Sequence, residues 1–249
     1  RDCLLSRGLG DVYKRQVIPN YNGMAFMEAC MQAVLRDAPK AELIVVDNAS
    51  KDGSLEYTRE HFPEARVLAM DQNYGFARAV NEGIRAATRP YVILLNNDTE
   101  VEPGFTDALV GALEADVRAF SAQAKLIQLQ DPLKLDDAGN FYCALGWAFA
   151  RGKDRPSADY EEQDEVFAAC AGAAVYRKAL FEEIGYFDEA HFAYLEDIDI
   201  GWRARIFGYR NLYVPKARVL HAGSGTSGSR YNEFKVTLSS RNNIWIIYK

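Results

Sequence analysis

The chain has 249 residues, of which 49% are hydrophobic and 26% charged, and it carries a formal net charge of −6 with a pI of about 5.2. An acidic chain is not expected to bind nucleic acid, although a metal ion can offset the charge of a nucleotide ligand. No apolar run approaches the roughly 18 to 20 residues of a membrane span. The four scattered cysteines form no C-x-x-C pair, which argues against zinc and redox motifs and fits a reducing cytosol.

The two ends of the chain differ from the rest. Residues 1–16 are polar and unpatterned, lack the apolar core of a signal peptide and join abruptly to the apolar Val17 and Ile18. We interpret 1–16 as a non-native leader that should pack poorly and either lie outside the sheet or pair with it only by chance. Residues 244–248 are apolar and directly precede the last residue. We interpret this as a truncation inside an element. A missing membrane-associated tail is compatible with this interpretation.

The first half of the chain alternates between strand and helix patterns. Strands are predicted at residues 17–19, 43–46, 66–69 and 91–95, and helices at 27–35, 54–61 and 76–87. The run at 43–46 is wholly apolar, as is typical of a strand buried in a parallel sheet. The alternation predicts an α/β fold with a Rossmann-like, mostly parallel sheet flanked by helices.

The second half is less regular. It is predicted to contain a helix at 103–115, an apolar strand around 167–176, a short helix ending near 185, a helix at 196–207, and short strands at 211–215 and 218–221. The Gly/Ser stretch at 222–229 is either a plain loop or a lid over a diphosphate, and we favour the lid.

We expect Tyr142, Trp147 and Phe149 in the core rather than in an acceptor platform. No linker divides the chain, so we predict one domain at 17–249, with a nucleotide-binding half at 17–100 and an acceptor and catalytic half at 101–249.

Polar residues follow each predicted strand of the first half. They occupy residues 19–23, 47–53, 73–75 and 96–98. Each group alone is compatible with a turn or a helix cap. Because ligands bind beyond the carboxyl ends of parallel strands, four such groups in succession indicate a crescent that can hold a base, a ribose and a diphosphate.

These groups are part of a wider resemblance. The chain resembles glycosyltransferase family 2, of the GT-A type, and within it the rhamnosyltransferase-like branch. The blocks that carry the resemblance are 17–23, 45–54, 73–77, 94–99, 171–174, 185–189, 196–199, 208–210, 214–215 and His221. They extend over nearly the whole chain after the suspected leader.

The resemblance implies roles for ten residues. It implies nucleotide-sugar binding for Pro19, Tyr21, Asp47, Asn48, Asn73, Gly75 and Asn97. It implies that Asp98 and His221 bind a divalent metal ion, Mn or Mg, and that Asp197 is the catalytic base. Asn96 and Asn97 depart from the fully acidic form of the metal-binding block, and the rhamnosyltransferase-like branch is similar to this asparagine form.

The chemistry of sugar transfer gives these residue types a reason. A divalent ion on the leaving diphosphate acts as a Lewis acid, and a carboxylate with an imidazole suits Mn²⁺, whereas a carboxylate with waters would accept Mg²⁺. Asp197 can serve as a base for the incoming hydroxyl. Glu196 and Asp199 are compatible with first-turn acids that complement the helix dipole. Asp197 and Asp199 point to different sides of a helix, so we expect only one of them to face the pocket.

The function implied is inverting transfer of a sugar from a nucleoside-diphosphate donor, with dTDP-rhamnose suggested by the branch, to a hydroxyl of a glycan or lipid-linked acceptor in cell-wall or polysaccharide biosynthesis. A sugar nucleotidyltransferase would need a glycine-rich basic loop near the start, which is absent. A non-catalytic sugar-nucleotide-binding module would not need Asp98, Asp197 and His221. We expect a cytoplasmic location, with the inner face of the membrane as an option.

Overall fold

The computed structural model describes residues 14–223 and 232–249. Its helices are α1 (Met24–Asp37), α2 (Ser54–His61), α3 (Gly75–Ala86), α4 (Phe105–Ala115), α5 (Phe181–Ile184), α6 (Glu196–Ile206) and α7 (Glu233–Tyr248). Its strands are β1 (Lys14–Asn20), β2 (Glu42–Asp47), β3 (Arg66–Ala69), β4 (Tyr91–Leu95), β5 (Thr99–Val101), β6 (Ala119–Gln128), β7 (Leu135–Asp137), β8 (Asn140–Cys143), β9 (Trp147–Ala150), β10 (Asp164–Val166), β11 (Ala173–Arg177) and β12 (Arg210–His221).

A ten-stranded mixed sheet forms the centre, in the order β10-β12-β6-β11-β4-β1-β2-β3, with β5 beside β12 and β7 beside β6. The pairs β1–β2, β1–β4 and β2–β3 are parallel, as predicted for the first half. The second half joins through the antiparallel pair β4–β11, and β6 and β12 form one more parallel pair. The α/β class is confirmed. Every antiparallel pair among the described strands includes at least one strand of the second half.

Helices cover both faces of the sheet. Successive side chains of a strand point to opposite faces, so neighbouring residues of one strand pack against different helices. Ile18 packs with residues of α1 and α4 in one buried cluster, and its neighbour Val17 packs with residues of α3 and α6 in the other. Burying one such aliphatic side chain completely contributes about 1.5–3 kcal/mol. The clusters lie on the two faces of the sheet and leave the carboxyl ends of β1, β2 and β4 on a common edge.

The first strand is longer than predicted. β1 begins at Lys14, and Arg15 and Gln16 pair in parallel with β2 on one side and β4 on the other. Gln16 is fully buried, and its Nε2 donates to Thr106 Oγ1 at 3.1 Å. The first alternative, that 1–16 lies outside the sheet, is therefore wrong for residues 14–16, which pair with two strands. Residues 1–13 lie outside the described part of the chain, so the leader hypothesis stays a prediction for them.

Two predictions for the second half need correction. The strand expected around 167–176 is limited to β11, because residues 167–172 are a loop on which the cleft described below is partly built. The two strands expected at 211–215 and 218–221 are one strand, β12, with a register shift between Val214 and Arg218. Pro215 lies in this irregularity, which suits a residue without an amide proton to donate. The predicted lid at 222–229 falls mostly on residues 224–231, outside the described residues.

Candidate active site

A cleft of about 540 Å³ lies beyond the carboxyl ends of β1, β2 and β4. Nine of the ten predicted site residues line it: Pro19, Tyr21, Asn48, Asn73, Gly75, Asn97, Asp98, Asp197 and His221. Their placement agrees with the rule that ligands bind at this edge of an open α/β sheet. Residues that are far apart in the sequence thus share one concave surface.

Asp47, the tenth predicted residue, lies beneath this surface and is fully buried. Its Oδ1 accepts a hydrogen bond from Asn20 Nδ2 at 2.8 Å, and its Oδ2 accepts one from the Ser50 amide at 3.0 Å. Asn20 Oδ1 in turn accepts from Asn97 Nδ2 at 2.8 Å. In this structure Asp47 supports the loops after β1, β2 and β4, and its direct contact with a nucleotide stays a prediction.

Asn48 fixes the loop that precedes α3. Its Oδ1 accepts from the Tyr74 amide at 3.0 Å, and its Nδ2 donates to the Gly75 carbonyl at 2.9 Å. The Gly75 amide also donates to Asn73 Oδ1 at 2.9 Å. Gly75 has a φ of +83°, and a Cβ there would lie 2.4 Å from the Phe192 carbonyl oxygen. Both the backbone conformation and the close approach therefore require glycine.

Asp98 and His221 form the candidate metal site. Asp98 Oδ1 and His221 Nε2 are 3.3 Å apart, and His221 Nδ1 lies 2.8 Å from Asp136 Oδ2. Two ligands in neighbouring positions of an octahedral ion with bonds of about 2.1 Å are roughly 3.0 Å apart, so this spacing fits one ion. A carboxylate on the second ring nitrogen is also the usual partner of a metal-binding histidine. Within residues 14–223 and 232–249 no group of three His, Cys, Asp or Glu side chains could hold a metal.

The electrostatics of this site follow from its carboxylates. Burial alone would lower the pKa of His221, but the hydrogen bonds and charges of Asp136 and Asp98 outweigh burial and raise the pKa to about 10. Lys153 is a second cationic partner of Asp136. The imidazolium bridges two carboxylates, and a divalent ion at Asp98 would have to displace its proton, since a metal ligand must be the neutral ring.

Asp197 lies in the first turn of α6 and faces the cleft. Its Oδ1 accepts from the Ile198 amide at 2.8 Å, and its Oδ2 accepts from Asn140 Nδ2 at 2.9 Å. Burial raises the pKa of Asp197 to about 6, although these hydrogen bonds oppose the shift. The neighbouring Glu196 is 6% exposed, and burial and the charge of Asp197 raise its pKa well above the ordinary value. Asp197 is thus a carboxylate that can take up a proton near neutral pH.

Asp199 faces away from the cleft, as predicted from the helical spacing. Its Oδ2 accepts from Arg203 Nε at 3.0 Å and from Arg203 Nη2 at 2.8 Å, and its Oδ1 lies 3.0 Å from Lys249 Nζ. A buried carboxylate held by two cations has a structural role. The two acids of the same helical turn therefore differ in surroundings and in what they contact.

The hairpin β8–β9 forms another wall of the cleft, and sequence reasoning missed this. Phe149 lines the cleft and is 51% exposed, and Trp147 is 68% exposed, so the expectation that both lie in the core is wrong. Tyr142 does pack inward, against Phe167 and Trp202. The sequence pattern of these three aromatic residues could not distinguish a core position from a position on the cleft wall, because the hairpin lies outside the main sheet.

Comparisons with known proteins agree with this geometry. A family model described as glycosyl transferase family 2 matches residues 16–185. The chain belongs to glycosyl transferase family 2. This family 2 glycosyltransferase is 29% identical over 212 residues to N-acetylglucosaminyl-diphospho-decaprenol L-rhamnosyltransferase of Mycobacterium tuberculosis (strain ATCC 25618 / H37Rv), a match that covers 75% of this chain and 68% of that protein. It is 35% identical over 113 residues to uncharacterized glycosyltransferase YibD of Escherichia coli (strain K12), covering 43% and 33% of the two chains.

Solved structures show the same fold. GalNAc-T7 with UDP, GalNAc and Mn²⁺ has a TM-score of 0.75 and 18% identity, over 95% of the family 2 chain but only 48% of that protein. The mannosyltransferase PcManGT from Pyrobaculum calidifontis, in complex with GDP-Man and Mn²⁺, has a TM-score of 0.60 and 19% identity, over 84% and 56% of the two chains. The predicted family and GT-A fold are thereby confirmed. Among the described helices of this glycosyltransferase, none is long and apolar enough to span a membrane.

Proposed function

We propose that this chain is an inverting glycosyltransferase that moves a sugar from a nucleoside-diphosphate donor to a hydroxyl of a glycan or lipid-linked acceptor. The observation that carries the proposal is the arrangement of the cleft. Asp197, a half-buried carboxylate with a pKa of about 6, lies in the same cleft as the Asp98–His221 pair. A base and a site for the leaving diphosphate are the two groups that a single displacement needs.

In the proposed step, Asp197 takes the proton of the acceptor hydroxyl while the hydroxyl oxygen attacks the anomeric carbon. The bond from that carbon to the diphosphate oxygen breaks, and its electron pair leaves with the nucleoside diphosphate. Asp98 and His221 would hold a divalent ion, Mn or Mg, which stabilises the negative charge that develops on the leaving group. Attack opposite to the leaving group inverts the anomeric centre.

The donor and acceptor classes are proposed from the relatives. The Mycobacterium tuberculosis relative is named a rhamnosyltransferase acting on a diphospho-decaprenol glycan. This supports rhamnose, carried as dTDP-rhamnose, as the sugar and a lipid-linked glycan as the acceptor. Such an acceptor would place the enzyme at the inner face of the membrane, as a cytoplasmic protein that associates peripherally.

A thermal-shift panel followed by a transfer assay tests the proposal. UDP, GDP and dTDP are each added with and without Mn²⁺, and a diphosphate at 100 times its Kd should stabilise the protein by about 2.7 kcal/mol. We expect dTDP with Mn²⁺ to give the largest shift, and Asp98→Ala to lose the Mn²⁺ response.

Transfer of rhamnose from dTDP-rhamnose to a prenyl-diphosphate-linked N-acetylglucosamine then tests the reaction itself. Nucleotide binding without transfer to any acceptor would identify a non-catalytic binding module instead. An unaltered Mn²⁺ response in Asp98→Ala would remove Asp98 from the metal site.

A further inference from the structure

The segment of residues 191–195 joins the two sides of the cleft. The Phe192 carbonyl accepts a hydrogen bond from the Ala77 amide of α3 at 3.2 Å, and the same carbonyl packs against Gly75 of the predicted nucleotide site. At its other end the segment leads through Leu195 into α6, so that Asp197 follows two residues later. The position of the base relative to the donor site therefore depends on the conformation of this segment.

The segment has an unfavourable backbone conformation. Phe192, Tyr194 and Leu195 have φ values of 64°, 70° and 65°. They make up half of the six non-glycine residues with positive φ in the described part of the chain. Bulky side chains rarely adopt this region, and such a conformation persists only where the surroundings hold it.

Asn242 of α7 supplies this support. It is fully buried, and its Nδ2 lies 3.0 Å from the His191 carbonyl, 2.9 Å from the Ala193 carbonyl and 2.7 Å from the Tyr194 carbonyl. Its Oδ1 accepts from Arg241 Nε at 3.0 Å. Three carbonyls on one side and a guanidinium on the other settle the orientation of the amide, because a reversed amide would set oxygen against oxygen.

Two neighbours reinforce the contact between α7 and the segment. Arg241 Nη2 donates to the Ala190 carbonyl at 3.0 Å and to the His191 carbonyl at 2.8 Å. The ring of Phe234, near the start of α7, lies 6.3 Å from the ring of Phe192. The helix therefore contacts the segment at several points. Of its two polar side chains in this contact, Arg241 and Asn242, only Asn242 is fully buried.

We propose that Asn242 is a positioning residue that holds residues 191–195 in the conformation which sets Asp197 at its working distance from the donor. The inference rests on the role proposed above for Asp197. The donor site itself has independent support, because Asn48 and Asn73 bind the loop of Gly75. Loss of the Asn242 contacts should therefore affect turnover more than donor binding.

The test compares Asn242→Asp with Ser240→Asp. The first variant has nearly the same shape but sets a carboxylate oxygen against three carbonyls. The second adds the same charge to the same helix at an exposed residue that does not line the cleft. We expect kcat to fall by roughly 10- to 100-fold in Asn242→Asp, the effect of a displacement of about 1 Å at the reacting centre, with the donor KM unchanged. Ser240→Asp should keep the wild-type kcat.

Hydrogen exchange gives a second readout that does not need activity. The amides of residues 191–195 should exchange faster in Asn242→Asp, while those of β1 to β4 keep their protection. Unchanged exchange in the segment, or a wild-type kcat, would overturn the inference. A lower melting temperature with an unchanged kcat would show that Asn242 only stabilises the fold.

Arg241→Met covers the case in which Asn242→Asp does not fold. It removes the contacts of Arg241 to Ala190 and His191 and its hydrogen bond to Asn242 Oδ1, and the same two readouts decide. If the wild-type enzyme transfers no sugar to any acceptor, the proposed function fails, whereas the exchange comparison still decides whether Asn242 holds the segment. The two failures are therefore distinguishable.

Discussion

Asp197 and Asp199 differ by two positions and provide a matched pair for the proposed chemistry. Asp197→Asn keeps the volume and the hydrogen bond to Ile198 but cannot take a proton, so transfer should fall by roughly 10² to 10⁴. Asp199→Asn weakens the contacts to Arg203 and Lys249, so it should lower the melting temperature and leave most of the activity. Each variant is assayed at saturating donor and acceptor. Equal losses of activity with equal losses of stability would show that both acids are structural.

The raised pKa of Asp197 gives a pH dependence with a definite sign. Below about pH 6 the side chain is protonated and cannot act as a base, so kcat should rise as the pH passes through this value. The unfolded chain releases the same proton near pH 4, so this group makes the fold less stable as the pH rises from about 4 to about 6. A kcat profile between pH 4.5 and 8 measures the first effect. A kcat independent of pH across this range would exclude Asp197 as the base.

Most of the site residues could be predicted from the sequence. They directly follow parallel strands, whose carboxyl ends lie at the same edge of the sheet. Asp136 and Asn140 were not predicted, although they contact His221 and Asp197. Their partners lie 85 and 57 residues away in the sequence, and no spacing rule connects residues across such distances. Asp136 is buried in β7, a position that is costly for an acid unless a partner is present, but no strand with definite bounds was predicted there from the sequence.

At the scale of elements, the helix α3 packs unusually close to β1. A Cβ at Gly83 would lie 2.1 Å from Val17 Cγ1, whereas a Cβ at Gly111, an exposed residue inside α4, would meet nothing within 4 Å. Gly83→Ala should therefore destabilise the protein by about 1–3 kcal/mol through overpacking. Gly111→Ala should stabilise it by about 0.5–1 kcal/mol, because alanine loses less entropy in a helix. Urea unfolding measures both, and a stabilising Gly83→Ala would contradict the packing described for α3.

Element boundaries were predicted best where two signals coincide. The helix α2 and the strands β3 and β4 match the predicted ranges, since glycine or polar residues flank their patterns. The apolar stretch 167–172 was assigned to a strand, but small apolar residues are also compatible with a loop that lines a cleft. Nothing in the sequence indicated the backbone conformation of residues 192–195, because the side chains that contact this segment come from α7, about 50 residues later.

For the molecule as a whole, a buried cluster shared by both halves of the chain predicts cooperative unfolding. The buried cluster on one face includes Ile18 of β1, Val175 of β11 and Val219 of β12, so it extends across both halves. All three tryptophans, Trp147, Trp202 and Trp245, lie in the second half. Tryptophan fluorescence therefore reports on the second half and far-UV circular dichroism on the whole chain. We expect the two urea transitions to coincide. A separate, earlier fluorescence transition would show that 17–100 and 101–249 are independent domains.

The hairpin β8–β9 has a consequence for how this enzyme can diverge. It forms its own two-stranded sheet, and its tip residue Leu145 is 94% exposed, yet Phe149 borders the cleft. Substitutions at such exposed positions usually change stability by less than about 0.5 kcal/mol. The hairpin can therefore accumulate changes that reshape one wall of the cleft, while the loops after β1, β2 and β4 remain fixed by their shared hydrogen bonds. Under the proposed function, descendants of one ancestor would in this way come to accept different acceptors and still use the same activated sugar.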